Sequence, residues 1–160
     1  MLSKIKTKLG NFKETARRSK YAHYYKDYDI EDNIILYDSY FSRGMLCNPY
    51  AIFRELLSNS EFDNFTHVWV VDDRVGNEPV MEQFADHNNI YVIRRHSNDH
   101  LKYLATAHYI ISNVSLPFYY CKKPGQIFVN TWHGTPIKSL GYDIPGSAAT
   151  ISNVLRNMLS

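Results

Sequence analysis

Short apolar runs recur along this chain, and between them the apolar positions spread out to helical spacing. Ile34-Ile35-Leu36-Tyr37, His67-Val68-Trp69-Val70-Val71, Ile90-Tyr91-Val92-Ile93, Tyr109-Ile110-Ile111 and Ile127-Phe128-Val129 each end in polar residues. Runs of this length fit strands buried on both faces. After the first run, Asn48-Pro49 reads as an N-cap followed by proline at the first helical position, with Ile52, Phe53, Leu56 and Leu57 as the apolar stripe. Pro79 to Asp86 predicts a short helix. Ser97 or Asn98 caps another, which carries Leu101, Leu104 and Ala105. Residues 147–159 predict a last helix, with Ile151, Val154, Leu155 and Met158 on one face.

Strands alternating with helices predict an α/β fold, a Rossmann-like doubly wound parallel sheet with helices on both faces. Ligands of such sheets bind outside the carboxyl ends of the strands. The segments to inspect are therefore 38–44, 72–76, 94–98, 112–117 and 130–138.

The first 32 residues stand apart. Leu2, Ile5, Leu9, Phe12 and Ala16 recur at steps of three and four and mark one face of a helix. Residues 21–33 are polar and tyrosine-rich and read as a linker, so the expected organisation is a basic amphipathic helix and linker over 1–32 and a domain over 33–160. Charge sharpens this division. Residues 1–20 hold seven of the 18 Lys+Arg (Lys4, Lys6, Lys8, Lys13, Arg17, Arg18, Lys20) and one acid, Glu14, although the whole chain carries only +2. That net charge does not argue for nucleic acid. The local cluster suits an anionic membrane surface, apolar face down, or a solvated helix packed on the domain.

Composition narrows the setting. At 44% hydrophobic residues, the 160-residue chain can build a core. Two cysteines, Cys47 and Cys121, make no disulfide framework and no paired zinc motif, which fits a reducing compartment. No apolar stretch reaches the roughly 20 residues of a membrane span, and the amino terminus lacks the apolar run of a secretory signal. A cytoplasmic setting is expected.

Chemistry concentrates after the fifth run, in Asn130-Thr131-Trp132-His133-Gly134-Thr135-Pro136-Ile137-Lys138. A histidine there sits at the carboxyl edge of the sheet. Gly134 permits close approach of backbone to a ligand. Thr135-Pro136 can open a helical turn whose free N–H groups favour an anion, and Lys138 adds a point charge for phosphate. A neutral imidazole beside a phosphate cradle suits proton abstraction from a hydroxyl that attacks phosphorus. A hydrogen-bonded histidine in a strand-to-helix turn is the other reading.

Asn113 and Ser115, after the fourth run, are candidates for acceptor hydroxyls or phosphate, with an Asx-type turn as the alternative. Ser39, Ser42 and Arg43, after the first run, form a second polar loop, with Ser39 a further candidate for substrate binding. No metal site is expected. Asp72 and Asp73 are adjacent, so a strand points them to opposite faces. A cap after His96 separates it from the helix of His100. A nucleotide-binding regulator is disfavoured because neither G-x-G-x-x-G nor a Walker loop occurs.

Residues 126–143, Gln-Ile-Phe-Val-Asn-Thr-Trp-His-Gly-Thr-Pro-Ile-Lys-Ser-Leu-Gly-Tyr-Asp, resemble the signature of the CDP-glycerol glycerophosphotransferases of teichoic-acid synthesis. Weaker likenesses lie at 34–44, Asn48-Pro49, Tyr103 to Ala107, Ile111-Ser112-Asn113 and Leu116-Pro117. The resemblance implies the N-terminal, acceptor-side half of a GT-B-like fold, with a donor-binding domain C-terminal to residue 160. It implies His133 as the base, and transfer of glycerol phosphate or ribitol phosphate from a CDP-polyol to a lipid-linked polyol-phosphate acceptor. It implies no cofactor beyond CDP-glycerol or CDP-ribitol as donor substrate, and a peripheral place on the cytoplasmic face of the membrane. Without the donor half, the isolated chain is expected to be inactive, or to act as a non-catalytic module that holds acceptor.

Overall fold

The computed structural model describes residues 2–72, 75–132 and 134, with backbone alone for residues 2–9 and for Val75. The elements are α1 (Leu2–Asp27), β1 (Glu31–Asp38), α2 (Cys47–Ser58), β2 (Thr66–Val71), α3 (Glu78–Glu82), β3 (Ile90–Arg94), α4 (Asn98–Thr106), β4 (Ala107–Ser112) and β5 (Ile127–Asn130). The helix expected over 147–159 lies outside the described residues.

The five strands form one sheet in the order β3-β2-β1-β4-β5, and every neighbouring pair is parallel. This is the doubly wound architecture that the alternation predicts. Parallel strands need helical crossovers, which cover both faces, so each strand is apolar on both sides. β1 shows the consequence residue by residue. Ile34 and Leu36 join Val68, Val70, Ile93, Leu101, Leu104 and Ile110 in one core layer, with Tyr21 of α1. Ile35 and Tyr37 point the other way, into a layer with Phe53 of α2, Met45, Trp69, Val71 and Ile111. Strand alternation therefore separates the α1/α4 side from the α2/α3 side.

Residues 21–27 correct the linker reading. α1 runs on through Asp27. Tyr21 is 4% exposed, and Tyr24 and Tyr25 pack against the same layer. The Tyr21 hydroxyl donates to the Cys121 carbonyl (2.7 Å) and accepts the Cys121 N–H (3.1 Å). Tyrosine buries an apolar ring and keeps a polar tip, so a tyrosine-rich segment counted as polar can still supply a packing face. The stripe of residues 2–9 falls where only backbone is described. Phe12, at 74% exposed, does not face the core.

Both caps also resolve. Ser97 is the N-cap of α4, and its hydroxyl accepts the His100 N–H (3.1 Å). Asn48 is not the N-cap of α2. Leu46 holds that place without a side-chain bond, and Asn48 lies inside the first turn, which frees its amide for another partner.

Candidate functional site

The strand order reverses between β1 and β4, so the loops leaving those strands diverge and open a crevice at the carboxyl edge. Three segments meet there: 38–48 after β1, 112–115 after β4, and 130–134 after β5.

The loop after β1 has an uncommon backbone. Tyr40, Phe41 and Ser42 are left-handed in succession, with φ of 49°, 59° and 66°. Each such residue costs about 1–2 kcal/mol, and a run of them survives only where surrounding bonds over-determine it. Those bonds are present. The buried Asp38 carboxylate accepts the Ser42 N–H (2.5 Å) and hydroxyl (3.1 Å). The Asp72 N–H donates to the Ser42 carbonyl (2.7 Å), and the Arg95 guanidinium donates to the Phe41 carbonyl (3.0 Å). Burial raises the Asp38 pKa, opposed by the Ser42 bonds and the charge of Arg95.

Asn113 ties this loop to β4. It is fully buried, and its side-chain oxygen accepts the Tyr40 N–H (2.9 Å) across the switch point. The turn after β4 is held instead by Ser112, whose hydroxyl accepts the Val114 N–H (3.1 Å) and donates to the Val114 carbonyl (3.0 Å). Ser39 is also fully buried, and its hydroxyl donates to the Leu46 carbonyl (3.0 Å). The geometry thus gives Ser39 a loop-holding role, away from solvent. Ser115 is exposed.

The segment after β5 continues the ladder, with the Thr131 N–H donating to the Ser112 carbonyl (2.8 Å). Trp132 is then left-handed, φ 48°, and 40% exposed. Its N–H donates to the Asn130 side-chain oxygen (3.1 Å), and its carbonyl accepts the Asn48 amide (3.2 Å) and the Thr131 hydroxyl (3.2 Å). Gly134 is exposed at φ 148°, and a Cβ there would meet nothing within 4 Å among the described residues. Its backbone conformation, rather than crowding, calls for glycine. His133, Thr135 and Lys138 lie outside the described residues.

Cys47, Tyr40 and Asn48 join the site without having been picked out as site residues. The Tyr40 hydroxyl donates to the exposed Cys47 Sγ (3.5 Å). That bond, then the Asn48 N–H, lower the thiol pKa; burial opposes them, and the Asn113 side chain adds a further lowering. The first turn of α2 lies at this edge, where Asn48 meets the Trp132 carbonyl, and its N-terminus adds a positive dipole end.

His96 and His100 form no metal pair here, because the His96 N–H donates to His100 Nδ1 (3.0 Å) and occupies the lone pair that a metal would need. Asp72 is exposed at the end of β2, and Asp73 lies outside the described residues. A groove of about 650 Å³ lies elsewhere, between α1 and residues 118–121, and includes none of the site residues.

The family model described as CDP-Glycerol:Poly(glycerophosphate) glycerophosphotransferase matches residues 20–160. A teichoic acid poly(glycerol phosphate) polymerase of Bacillus spizizenii is 33% identical over 133 residues, covering 80% of this chain and 32% of that protein. A teichoic acid glycerol-phosphate transferase of Staphylococcus aureus is 30% identical over 112 residues, covering 70% of this chain and 26% of that protein. A solved structure of the wall teichoic acid polymerase TagF superimposes with a TM-score of 0.76 at 22% identity, over 99% of this chain and 38% of that one. The fold is therefore shared, and the chain spans about a third or less of the length of these curated relatives.

Proposed function

The chain belongs to the CDP-glycerol:poly(glycerophosphate) glycerophosphotransferase family, and on that premise we propose that it forms the acceptor-side part of an enzyme that transfers glycerol phosphate, or ribitol phosphate, from a CDP-polyol to a hydroxyl of a lipid-linked teichoic-acid-type acceptor. The observation that carries this reading is the position of the signature segment. Its first residues form β5, and Thr131, Trp132 and Gly134 emerge at the carboxyl edge beside the β1/β4 switch point. A base at residue 133 would thus stand where open parallel sheets bind ligands.

In the proposed reaction, His133 takes the proton of the acceptor hydroxyl. The oxygen forms a bond to the polyol-bearing phosphorus, the bond from that phosphorus to the bridging oxygen breaks, and CMP leaves. Gly134, Thr135 and Lys138 steady phosphate charge, with the N-terminus of α2 contributing a positive field. Asn113 and Ser115 border the acceptor side. The donor contacts belong to a segment expected C-terminal to residue 160.

A peripheral place on the cytoplasmic membrane face completes the proposal. No helix among the described residues is long and apolar enough to cross a membrane. α1 ends at Asp27, just before the start of β1, whereas Lys20, two turns earlier, donates to Asn98 at the start of α4, beyond the end of β3 (2.7 Å). The basic amino-terminal half of α1 therefore leads toward the edge that carries the signature, which suits delivery of a lipid-linked acceptor.

The test is His133→Ala in the enzyme completed by its donor-binding half, with CMP release and thermal stability measured on the same preparation. Loss of a general base lowers turnover on the order of 10²–10⁴-fold with folding intact. Near-normal CMP release from a well-folded variant removes His133 from the mechanism.

A further inference from the structure

We propose that Asn48 is a positioning residue for the base at 133, through its hold on the Trp132 carbonyl; the inference rests on the reading of His133 given above. That carbonyl belongs to the peptide bond leading into residue 133. Fixing its plane fixes the direction in which the next residue leaves the strand end.

The Trp132 backbone requires such a hold. A bulky residue at φ 48° is out of its ordinary range, and the conformation persists only if its polar groups are secured. Among the described residues, the side chains of Asn130, Thr131 and Asn48 contribute to this. Asn130 accepts the Trp132 N–H, while Thr131 and Asn48 donate to its carbonyl. Asn130 and Thr131 are immediate neighbours in sequence, laddered to Ser112 of β4. Asn48 is different: it stands 84 positions away, in the first turn of α2, and ties the segment to that helix as well. The same helix start carries Cys47, which Tyr40 contacts, and Tyr40 is bonded to Asn113. One chain of contacts thereby links the loops after β1, β4 and β5. A shift of α2 would act on the Trp132 carbonyl through Asn48.

Asn48→Asp separates positioning from folding. The carboxylate is nearly isosteric and cannot donate to the Trp132 carbonyl. The first turn of α2 holds no acid, and an acid is favoured at that end of a helix. Melting temperature should thus hold or rise while the anchor is lost. The chain has two tryptophans, and Trp69 is fully buried, so quenching by neutral acrylamide reports Trp132. In the full chain we expect the quenching constant to rise roughly twofold in Asn48→Asp, as Trp132 leaves its hold. In the enzyme completed by its donor-binding half, kcat for CMP release should fall about 10- to 100-fold with KM much less affected, since misplacement of a reacting group acts on the transition state. Asn48→Ala, which lacks the donor but suits a helix, should reproduce both effects if the aspartate variant fails to fold. Unchanged quenching, or raised quenching with normal kcat, in a folded variant overturns the proposal. His133→Ala with normal CMP release would remove the base instead, even where Asn48→Asp still loosens Trp132.

Discussion

Acid should unfold this domain through two histidines that take no part in the proposed chemistry. His67 is fully buried on β2, with Nδ1 2.9 Å from the Tyr37 hydroxyl, and burial with some help from His87 lowers its pKa to about 4. His100 is 2% exposed, and its Nδ1 accepts the His96 N–H, so a proton there would face a donor. Burial, then His96, Arg95 and Arg17, bring His100 to about 3. A folded-state value below the unfolded 6.5 means that the unfolded chain binds protons first as pH falls. The stabilisation is thus complete above about pH 6.5 and is lost as pH falls toward the folded values. From 6.5 to about 4 and about 3, the losses come to about 3 and about 5 kcal/mol. Their sum is comparable to the whole stability of a typical domain, about 5–15 kcal/mol. Between pH 6 and 4.5 the two sites together should give a slope of about 2 kcal/mol per pH unit. With a urea m-value of about 2 kcal/mol/M, the midpoint would fall by about 1 M per pH unit. Asp38 works in the opposite sense, since its raised pKa favours the folded state in acid. The comparison is therefore made between variants. Asparagine places Oδ1 near the position of Nδ1, so His67→Asn and His100→Asn keep an acceptor and remove the titration. Each should remove about half of the slope. Urea midpoints at pH 7.5, 6.0 and 5.0 decide the matter, and a slope unchanged in both variants would refute the reasoning.

Three further outcomes are expected. Gln126 is 3% exposed and satisfies four groups at once: its amide donates to the Ala107 (2.8 Å) and Leu104 (3.3 Å) carbonyls, and its oxygen accepts the Lys123 N–H (3.0 Å) and the Tyr120 hydroxyl (3.4 Å). Gln126→Leu should cost about 2–4 kcal/mol in urea unfolding, and a loss below about 0.5 kcal/mol would mean that those groups find other partners. Gly134→Ala should lower stability by about 1–2 kcal/mol from backbone strain alone; an unchanged melting temperature would show that the segment relaxes out of φ 148°. Removal of residues 1–20 should abolish co-sedimentation with anionic vesicles, and 1 M salt, with a Debye length of about 3 Å, should release the intact chain. Binding that survives both treatments would exclude α1 as the contact.

The alternation of buried strands and helical stripes was enough to establish the architecture, because a parallel sheet covered on both faces leaves apolar runs that polar segments interrupt. The position of the signature after the fifth strand was equally legible, since strand ends follow from where hydrophobicity stops. The sequence could not show which loops become neighbours. The order β3-β2-β1-β4-β5 places residues 38–48 and 112–115 side by side, and that depends on a crossover of α4 to the far side of β1. Tyr21, Tyr24 and Tyr25 looked like linker because a count of polar residues misses the ring. Only packing against α4 and residues 118–121 shows the ring to be core. Ser39 and Asn113 likewise read as ligand groups in sequence, which could not show their bonds to the Leu46 carbonyl and the Tyr40 N–H. Short polar side chains look alike in sequence whether they face a ligand or a neighbouring loop. Their partners are distant along the chain, and only the assembled sheet brings the two together.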